Sequence, residues 1–413
     1  MRYGLIGKKL GHSFSPELHR LIGGYHYELM ELPESLLAGF FTQREFDGIN
    51  VTIPYKQSVL PYLDKIDSSA SAIGAVNTVI NRQGKLYGYN TDFGGMIALI
   101  RRMGLDLRGK KVLILGTGGT AQTARACTGT LGAAEIHLVS RSNRGDALTY
   151  PEAMTQYADA DILINATPVG MFPDADSCPI ALSAFPQLCG VVDMVYNPLQ
   201  TRLVLEARQR GILAEGGLYM LVAQAALASE LFTGKSVPEA AVNAAYDALL
   251  RQKRNLVLIG MPGSGKTTVG REIARKLKSK FVDLDEVIQR RTGKTIPDIF
   301  VQDGETAFRD LETEAVRDVA GRSGIVIATG GGTVLRPENV NSLRQNGLLF
   351  LLDCPLDQLH PTEDRPLADT TQKLDKLYRQ RMPLYRAAAY EIIETKTSVS
   401  ETANAVIQRF YEV

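Results

Sequence analysis

The chain has no tryptophan, only four cysteines, and aromatic residues make up just 7% of its 413 positions. Cys127, Cys178, Cys189 and Cys354 are scattered, without a C-x-x-C pair or histidines at zinc spacing. That argues against a disulfide scaffold or structural zinc and fits reduced thiols in a cytoplasm. Charge of one sign is also missing: 46 basic and 45 acidic residues leave a formal net charge of +1. No nucleic-acid or membrane-surface partner follows from such a balance. Basic residues do gather from Arg251 to Lys280, but most fall on one helical pattern, where a solvated face accounts for them. No apolar run approaches the roughly 20 residues of a membrane span. The first residues, Arg2–Ile6, already read as a strand, with no apolar leader. The expectation is a soluble, cytoplasmic chain, long enough for two or three domains.

What is present centres on Asn255–Thr268. A short apolar run is followed by Gly260, Gly263, Gly265, Lys266 and Thr267, which fill every fixed position of G-x-x-x-x-G-K-[ST]. A helical pattern, Thr268–Leu277, comes next. Inward-facing backbone amides and a helix N-terminus suit phosphate. Lys266 is expected on the β/γ-phosphates and the Thr267 hydroxyl on Mg²⁺.

In residues 1 to about 100, short strand-like runs alternate with helical ones, among them Gln57–Leu63 and Phe93–Arg102. This is an α/β pattern. Three polar clusters interrupt it. Gly11–Pro16 sets Ser13 and Ser15 on one side of an extended run, and Asn50–Lys56 puts Asn50 and Thr52 on one face of a strand end. Gly88–Asp92 places an acid at a helix start, where a capping role competes. Singly, each cluster has a bland explanation in caps, an edge strand stopped by Pro54, or a surface lysine. Together they offer hydroxyls and amides for a polyol, plus a lysine and a carboxylate for proton transfer.

Lys111–Leu115 then reads as a strand and Gly116–Ala121 as G-x-G-x-x-A before a helix, a permitted dinucleotide fingerprint. The next strand, Glu135–Val139, ends without the acid that would hold a ribose 2′-hydroxyl. Instead Ser140, Arg141, Ser142 and Arg144 follow. That set suits a 2′-phosphate, which points to NADP over NAD. Asp161–Asn165 and Gly190–Val195 read as further strands, each running into a polar loop. Gly216 and Gly217 open a helical stretch, Leu218–Phe232, that carries Gln224 among apolar residues.

Beyond the phosphate loop, Phe281–Asp285 reads as a strand with Asp283 and Asp285 on one face. Arg309 and Glu312 are i, i+3 on a helix. Ile325–Ala328 is a buried strand ending in Thr329–Gly332, whose glycines permit close backbone approach. Arg365 and Arg381 come later, the first in a polar, proline-containing loop.

Residues 1 to about 240 resemble shikimate dehydrogenase through Ser13/Ser15, N-V-T-I-P-Y-K, A-I-G-A-V-N-T-V, G-Y-N-T-D, G-T-G-G-T-A, N-A-T-P-V-G-M and D-M-V-Y-N-P. Residues from about 254 to 413 resemble shikimate kinase through G-M-P-G-S-G-K-T, D-L-D, G-E-x-x-F-R-x-x-E, the triple glycine, D-R-P-L and R-M-P-L-Y. The resemblance implies an α/β fold: a substrate domain over 1–100, completed by helices from about 217–240, and a Rossmann-like NADP domain over 101–216. A linker over 241–253 and a P-loop kinase domain with a parallel sheet over 254–413 would follow. It also implies reduction of 3-dehydroshikimate with NADPH, then phosphorylation of shikimate with MgATP. Both partners would be small molecules, with no nucleic acid and no membrane, and a homo-oligomer is left open.

By the same resemblance Lys56 and Asp92 form the first catalytic pair, and Ser13, Ser15, Thr52, Asn77 and Gln224 hold the substrate. NADP(H) would lie on Gly116, Gly118, Gly119, Thr120, Ala121, Ser140, Arg141, Arg144 and Gly217. ATP would lie on Gly263, Ser264, Gly265, Lys266, Thr267 and Thr268, with Mg²⁺ on Thr267 and Asp283. Asp285, Arg309, Gly331 and Arg381 would hold shikimate, and Arg365 would be a lid arginine acting with Lys266 and Asp285. Two departures stand out. Ser140–Ser142 replaces the family's common Asn-Arg-Thr, and the run Gln358–Arg365 is a few residues shorter and lacks an earlier arginine that packs on adenine. An altered lid leaves a second reading, a nucleotide-sensing or scaffolding module behind an active dehydrogenase. A quinate-directed dehydrogenase is a third.

Overall fold

The computed structural model describes residues 2–11, 13–142, 145–359, 370–396 and 398–412. Arg144, Arg365 and most of the expected lid, His360–Arg365, lie outside the described residues. The chain divides into two units, Met1–Leu249 and Leu250–Val413.

The first unit contains two sheets. Strands β1 (Tyr3–Gly7), β2 (Tyr27–Glu31), β3 (Gly48–Val51), β4 (Lys65–Ile66), β5 (Thr78–Arg82) and β6 (Lys85–Tyr89) assemble in the order β2-β1-β3-β5-β6-β4. Pairing is parallel across β2, β1 and β3 and antiparallel from β3 through β5 to β6. The sheet is buried on both faces by simple alternation. Tyr3 and Leu5 pack into one apolar cluster while Ile6 enters another.

The second sheet comprises β7 (Lys111–Leu115), β8 (Glu135–Ser140), β9 (Leu148–Thr149), β10 (Ile162–Asn165), β11 (Gly190–Asp193) and β12 (Leu213–Glu215). Its order is β12-β11-β10-β7-β8-β9, all parallel. The order reverses at β7, so the crevice for a ligand opens beyond the carboxyl ends of β7 and β10. The helix Leu218–Thr233 then packs against Thr91–Arg102 and Ser15–Gly23.

The second unit is one parallel sheet of β13 (Asn255–Ile259), β14 (Lys280–Asp283), β15 (Ile325–Ala328), β16 (Gly347–Asp353) and β17 (Glu391–Glu394), ordered β14-β15-β13-β16-β17. Val257 and Ile259 enter the core on one face, Leu256 and Leu258 the core on the other. That explains a strand apolar at nearly every position.

The structure departs from the sequence reading in places. Gln57–Leu63 is a chain of turns closing in a 3₁₀ turn, Leu60–Tyr62, because Pro61 has no amide to continue an α-helix. Residues 241–253, expected as a linker, lie within the helix Glu239–Lys253. Phe281–Asp285 is not one strand. β14 stops at Asp283, whose carboxylate accepts the Asp285 amide and caps the helix Leu284–Thr292. Asp283 and Asp285 therefore meet across a helix start rather than along a strand face. A helix, Glu34–Gln43, and the strand β6 were not anticipated. The β5–β6 turn uses Gln83 and Gly84, both with positive φ, instead of the Asn-Gly that would announce a hairpin.

Candidate functional site

In the first unit, Lys56 Nζ meets Asp92 Oδ2 at 2.5 Å, with both side chains mostly buried. Asp92 is free for this because Asn90, not Asp92, caps its helix by accepting the Phe93 amide. The pair is tied to two buried amides through Thr91, the residue before Asp92. Asn77 accepts the Thr91 amide at 2.7 Å and donates to the Thr91 hydroxyl at 3.0 Å. That hydroxyl also donates to Gln224 Oε1 at 3.3 Å. Gln224 donates its own amide to Leu221 O in the same helix. One polar junction thus joins Lys56, Asp92, Asn77 and Gln224. Asn50 adds a layer behind it, accepting from Tyr27 and donating to Thr78.

Ser13 donates to Ser15 at 3.1 Å, and Ser15 opens the helix that packs on the one bearing Gln224. The Phe14 ring meets Tyr196, in the loop after β11, with centroids 5.5 Å apart. Burial pushes the Tyr196 phenol above its usual range. Tyr196 and Thr91 were both passed over at the sequence level. Tyr196 carried one usable sign, its place in the polar loop at a strand's carboxyl end. Thr52 lies just past β3 rather than on it; its amide donates to Ile6 O and its carbonyl accepts from Tyr55.

At the switch point of the second sheet, Gly118 caps the helix Gly119–Thr130, on which Thr120 and Ala121 continue the first turn. A Cβ on Gly118 or Gly119 would meet nothing within 4 Å, so the turn presents bare backbone to open space. A pyrophosphate needs that access. Gly116 has a different job, since its missing side chain lets Ala166 O and Thr167 approach. Gly217 is also a packing glycine, because a Cβ there would strike Met194 O at 2.4 Å. Ser140 ends β8, beside β7, and Arg141 is exposed next to it. A phosphate on the adenosine ribose would find a hydroxyl and a guanidinium there.

In the second unit, Gly260, Gly263 and Gly265 all adopt positive φ, so no other residue suits the loop. Lys266 is buried and donates to the carbonyls of Gly260 and Met261 at 2.9 Å each. Thr267 donates to Asp283 at 2.7 Å. A hydroxyl and a carboxylate side by side are hard oxygen donors that fit Mg²⁺. Ser264 and Thr268 complete the turn and the first helical residues.

A cleft of about 690 Å³ extends from this loop, lined by Lys266, Asp283, Asp285, Arg309, Gly331 and Arg381 among others. Arg309 donates to the fully buried Glu312 at 2.8 Å and to Glu305 at 3.2 Å. Glu312 also accepts from Thr333 at 2.7 Å. Arg381 donates to Gly331 O at 2.9 Å, as does the buried Tyr385 hydroxyl. Burial lowers the Arg381 pKa from its ordinary value.

Each of the three glycines leaves room for close neighbours. A Cβ on Gly330 would meet the Glu312 and Asp285 carboxylates, on Gly331 the Pro262 ring, and on Gly332 the Arg309 guanidinium.

Known proteins match each half. A model described as the shikimate dehydrogenase substrate binding domain matches residues 5–79, and one described as the shikimate 5′-dehydrogenase C-terminal domain matches 217–245. Shikimate dehydrogenase (NADP⁺) of Symbiobacterium thermophilum is 36% identical over 264 residues, 57% of this chain and 90% of that protein. The chain belongs to the shikimate dehydrogenase family. Its relative in Halothermothrix orenii is 40% identical over 260 residues, again 90% of that protein.

A crystal structure of the Thermus thermophilus enzyme in complex with NADP(H) and shikimate superposes with a TM-score of 0.55 at 32% identity. It covers 60% of this chain and 99% of that one. A chorismate mutase/shikimate 5-dehydrogenase fusion from Clostridium acetobutylicum superposes at 0.56 and 33% identity, covering 60% and 96%. The shikimate kinase model matches residues 262–411. A shikimate dehydrogenase is therefore continuous, in one chain, with a shikimate kinase domain. Among the described residues no helix is long and apolar enough to cross a membrane.

Proposed function

We propose that the first unit reduces 3-dehydroshikimate to shikimate with NADPH and the second phosphorylates shikimate with MgATP. The observation that supports the first assignment most is the Lys56–Asp92 pair, joined through Thr91 to Asn77 and Gln224. The Gly116–Ala121 turn would hold the pyrophosphate of NADPH and Ser140 and Arg141 its 2′-phosphate, and the cofactor would supply a hydride for the ketone carbon. Lys56 stabilises the growing alkoxide as a cation and gives it a proton. Asp92, 2.5 Å from the Lys56 ammonium, aims that lysine. Ser13, Ser15, Thr52, Asn77 and Gln224 hold the ring hydroxyls and carboxylate, and Tyr196 packs on Phe14 between the two serines.

In the second unit, Asp285 accepts the hydrogen of the attacking hydroxyl, which Arg309, Gly331 and Arg381 hold in place. Lys266 would spread charge on the transferred phosphoryl group, and the Thr267–Asp283 pair would hold a Mg²⁺ that supplies further charge neutralisation. Arg365 is assigned the same task from the lid. Free thiols and a need for NADPH and ATP fit a cytoplasmic setting. The deciding experiment supplies 3-dehydroshikimate, NADPH and MgATP to the full chain. NADPH loss followed by appearance of shikimate 3-phosphate supports both assignments. Absence of phosphorylated product even with added shikimate sinks the second.

A further inference from the structure

Three polar side chains are buried together at the carboxyl ends of β10 and β11, outside the groups assigned so far. Asp193 and Asn165 are 0% exposed and Thr201 is 1% exposed. An apolar side chain would fill such positions more cheaply, so each polar group must be answered by a partner. The answers all converge on Asp193. Its Oδ1 accepts from the Asn165 amide at 2.9 Å and from the Val195 backbone at 3.0 Å; its Oδ2 accepts from the Thr201 hydroxyl at 2.6 Å.

Each partner controls a loop. Asn165 accepts from the Thr167 amide and hydroxyl and donates to Val169 O, which shapes residues 166–169. Thr167 and Ala166 in turn lie against Gly116, the first glycine of the cofactor turn. On the other side, Val195 O accepts from the Gly217 amide at 3.0 Å, just before the helix that carries Gln224. Tyr196, next along, meets Phe14 between the two serines. Thr201 closes the ring by lying 3.5 Å from where a Cβ on Gly170 would stand.

We propose that Asp193 is a positioning residue for hydride transfer. It sets the distance between the loop beneath the cofactor turn and the loop that touches the substrate half. This rests on the reductase assignment of the same site. Above its titration the buried carboxylate is met by three donors, from Asn165, Val195 and Thr201. Protonation places a hydrogen against the Thr201 hydroxyl and forces that donor to turn away. Burial holds the Asp193 pKa up at about 6, opposed by the hydrogen bonds from Thr201, Val195 and Asn165. Among the described residues the Cys178 thiol, itself raised by burial, is linked to it electrostatically and also feels Glu206 and Arg202 on the helix Arg202–Gln209.

The test compares the full chain with Asp193→Asn and Thr201→Val, measuring reductase kcat and the KM for NADPH from about pH 5 to 8. Kinase rate and thermal melting report on folding. In the unaltered chain, kcat/KM for NADPH falls as pH drops through the Asp193 titration. Asp193→Asn keeps the fold but holds the low-pH value throughout, at least about tenfold down at neutral pH. Thr201→Val, which removes one donor to the carboxylate, moves the acid limb to higher pH. Asp193→Asn with unaltered kinetics and an unaltered acid limb overturns the proposal. So does lost activity accompanied by unfolding, with the Thr201→Val limb unmoved, since that describes a purely structural group. An unaltered chain that reduces no 3-dehydroshikimate instead refutes the reductase assignment itself.

Discussion

Gly332→Ala isolates what the third glycine of the acceptor loop does. The backbone there has φ −111 and ψ 0, open to alanine. The new Cβ would nevertheless sit 2.2 to 2.3 Å from three atoms of the Arg309 guanidinium. Ordinary contact needs about 3.5 Å, so the guanidinium must retreat by roughly 1 Å. Being the end of a flexible side chain it can do so, and the fold survives. What suffers is the hydroxyl-bearing acceptor that Arg309 is proposed to hold.

A misplacement of about 1 Å costs on the order of 100-fold in rate, close to 2.7 kcal/mol of transition-state stabilisation. The assay is steady-state kinase kinetics with shikimate and ATP varied in turn. The expected result is a kcat/KM for shikimate down about 100-fold, a KM for ATP within about threefold of the original, and an unchanged reductase rate. Gly331→Ala gives the contrast, because its Cβ would strike the Pro262 ring and backbone nitrogen at 2.7 to 3.3 Å. That variant should raise the KM for ATP as well. Equal loss of shikimate and ATP affinity in Gly332→Ala, or no loss of either, would refute the reasoning.

Lys56→Ala should lower the reductase kcat by about 10²- to 10⁴-fold, the usual range for a lost general acid, and leave phosphorylation intact; equal loss of both activities would contradict the assignment. Lys266→Ala should do the reverse, cutting the kinase at least about 100-fold while NADPH oxidation continues. Glu312→Ala removes the buried partner of Arg309 and should destabilise the second unit by about 3 to 5 kcal/mol, read as an earlier unfolding transition; a change under about 1 kcal/mol would mean Glu305 suffices. Asp193 makes a signed pH prediction. Its folded pKa, about 6, lies above the ordinary carboxyl value of 3.8, so the fold favours the neutral form. The stability it contributes is complete below about pH 4 and is lost as pH rises through 6, on the order of 3 kcal/mol. Relative to Asp193→Asn, the unaltered chain should lose that much between about pH 4 and pH 7, and a pH-independent difference would refute it.

The parts of both sites that could be read in the sequence are those whose chemistry demands fixed short spacing. Phosphate binding requires glycines with positive φ just before a lysine and a hydroxyl, and Gly260, Gly263, Gly265, Lys266 and Thr267 stand together in the chain as they do in space. The glycine turn at Gly116–Ala121 is of the same kind. Architecture followed from the same logic, since apolar runs too uniform for a half-exposed sheet announced strands buried on both faces. Element boundaries were less visible. Asp283 and Asp285 fit a period of two on paper, yet a carboxylate that captures an amide two residues on starts a helix instead.

Groups whose partners are remote in the chain left no local trace. Thr91 reads as a helix-start threonine beside a more conspicuous acid, and only the fold brings it to Gln224, 133 residues away. Asp193 reads as the polar end of a strand, and its two side-chain donors come from 28 residues before and 8 residues after. Such residues touch neither phosphate nor proposed substrate, so no motif chemistry constrains their spacing. What constrains them is the requirement that separate loops hold one distance. A buried carboxylate answered by three neutral donors meets that requirement through direction as well as attraction. An apolar cluster of equal volume would fill the space without fixing the angle at which each loop leaves its strand.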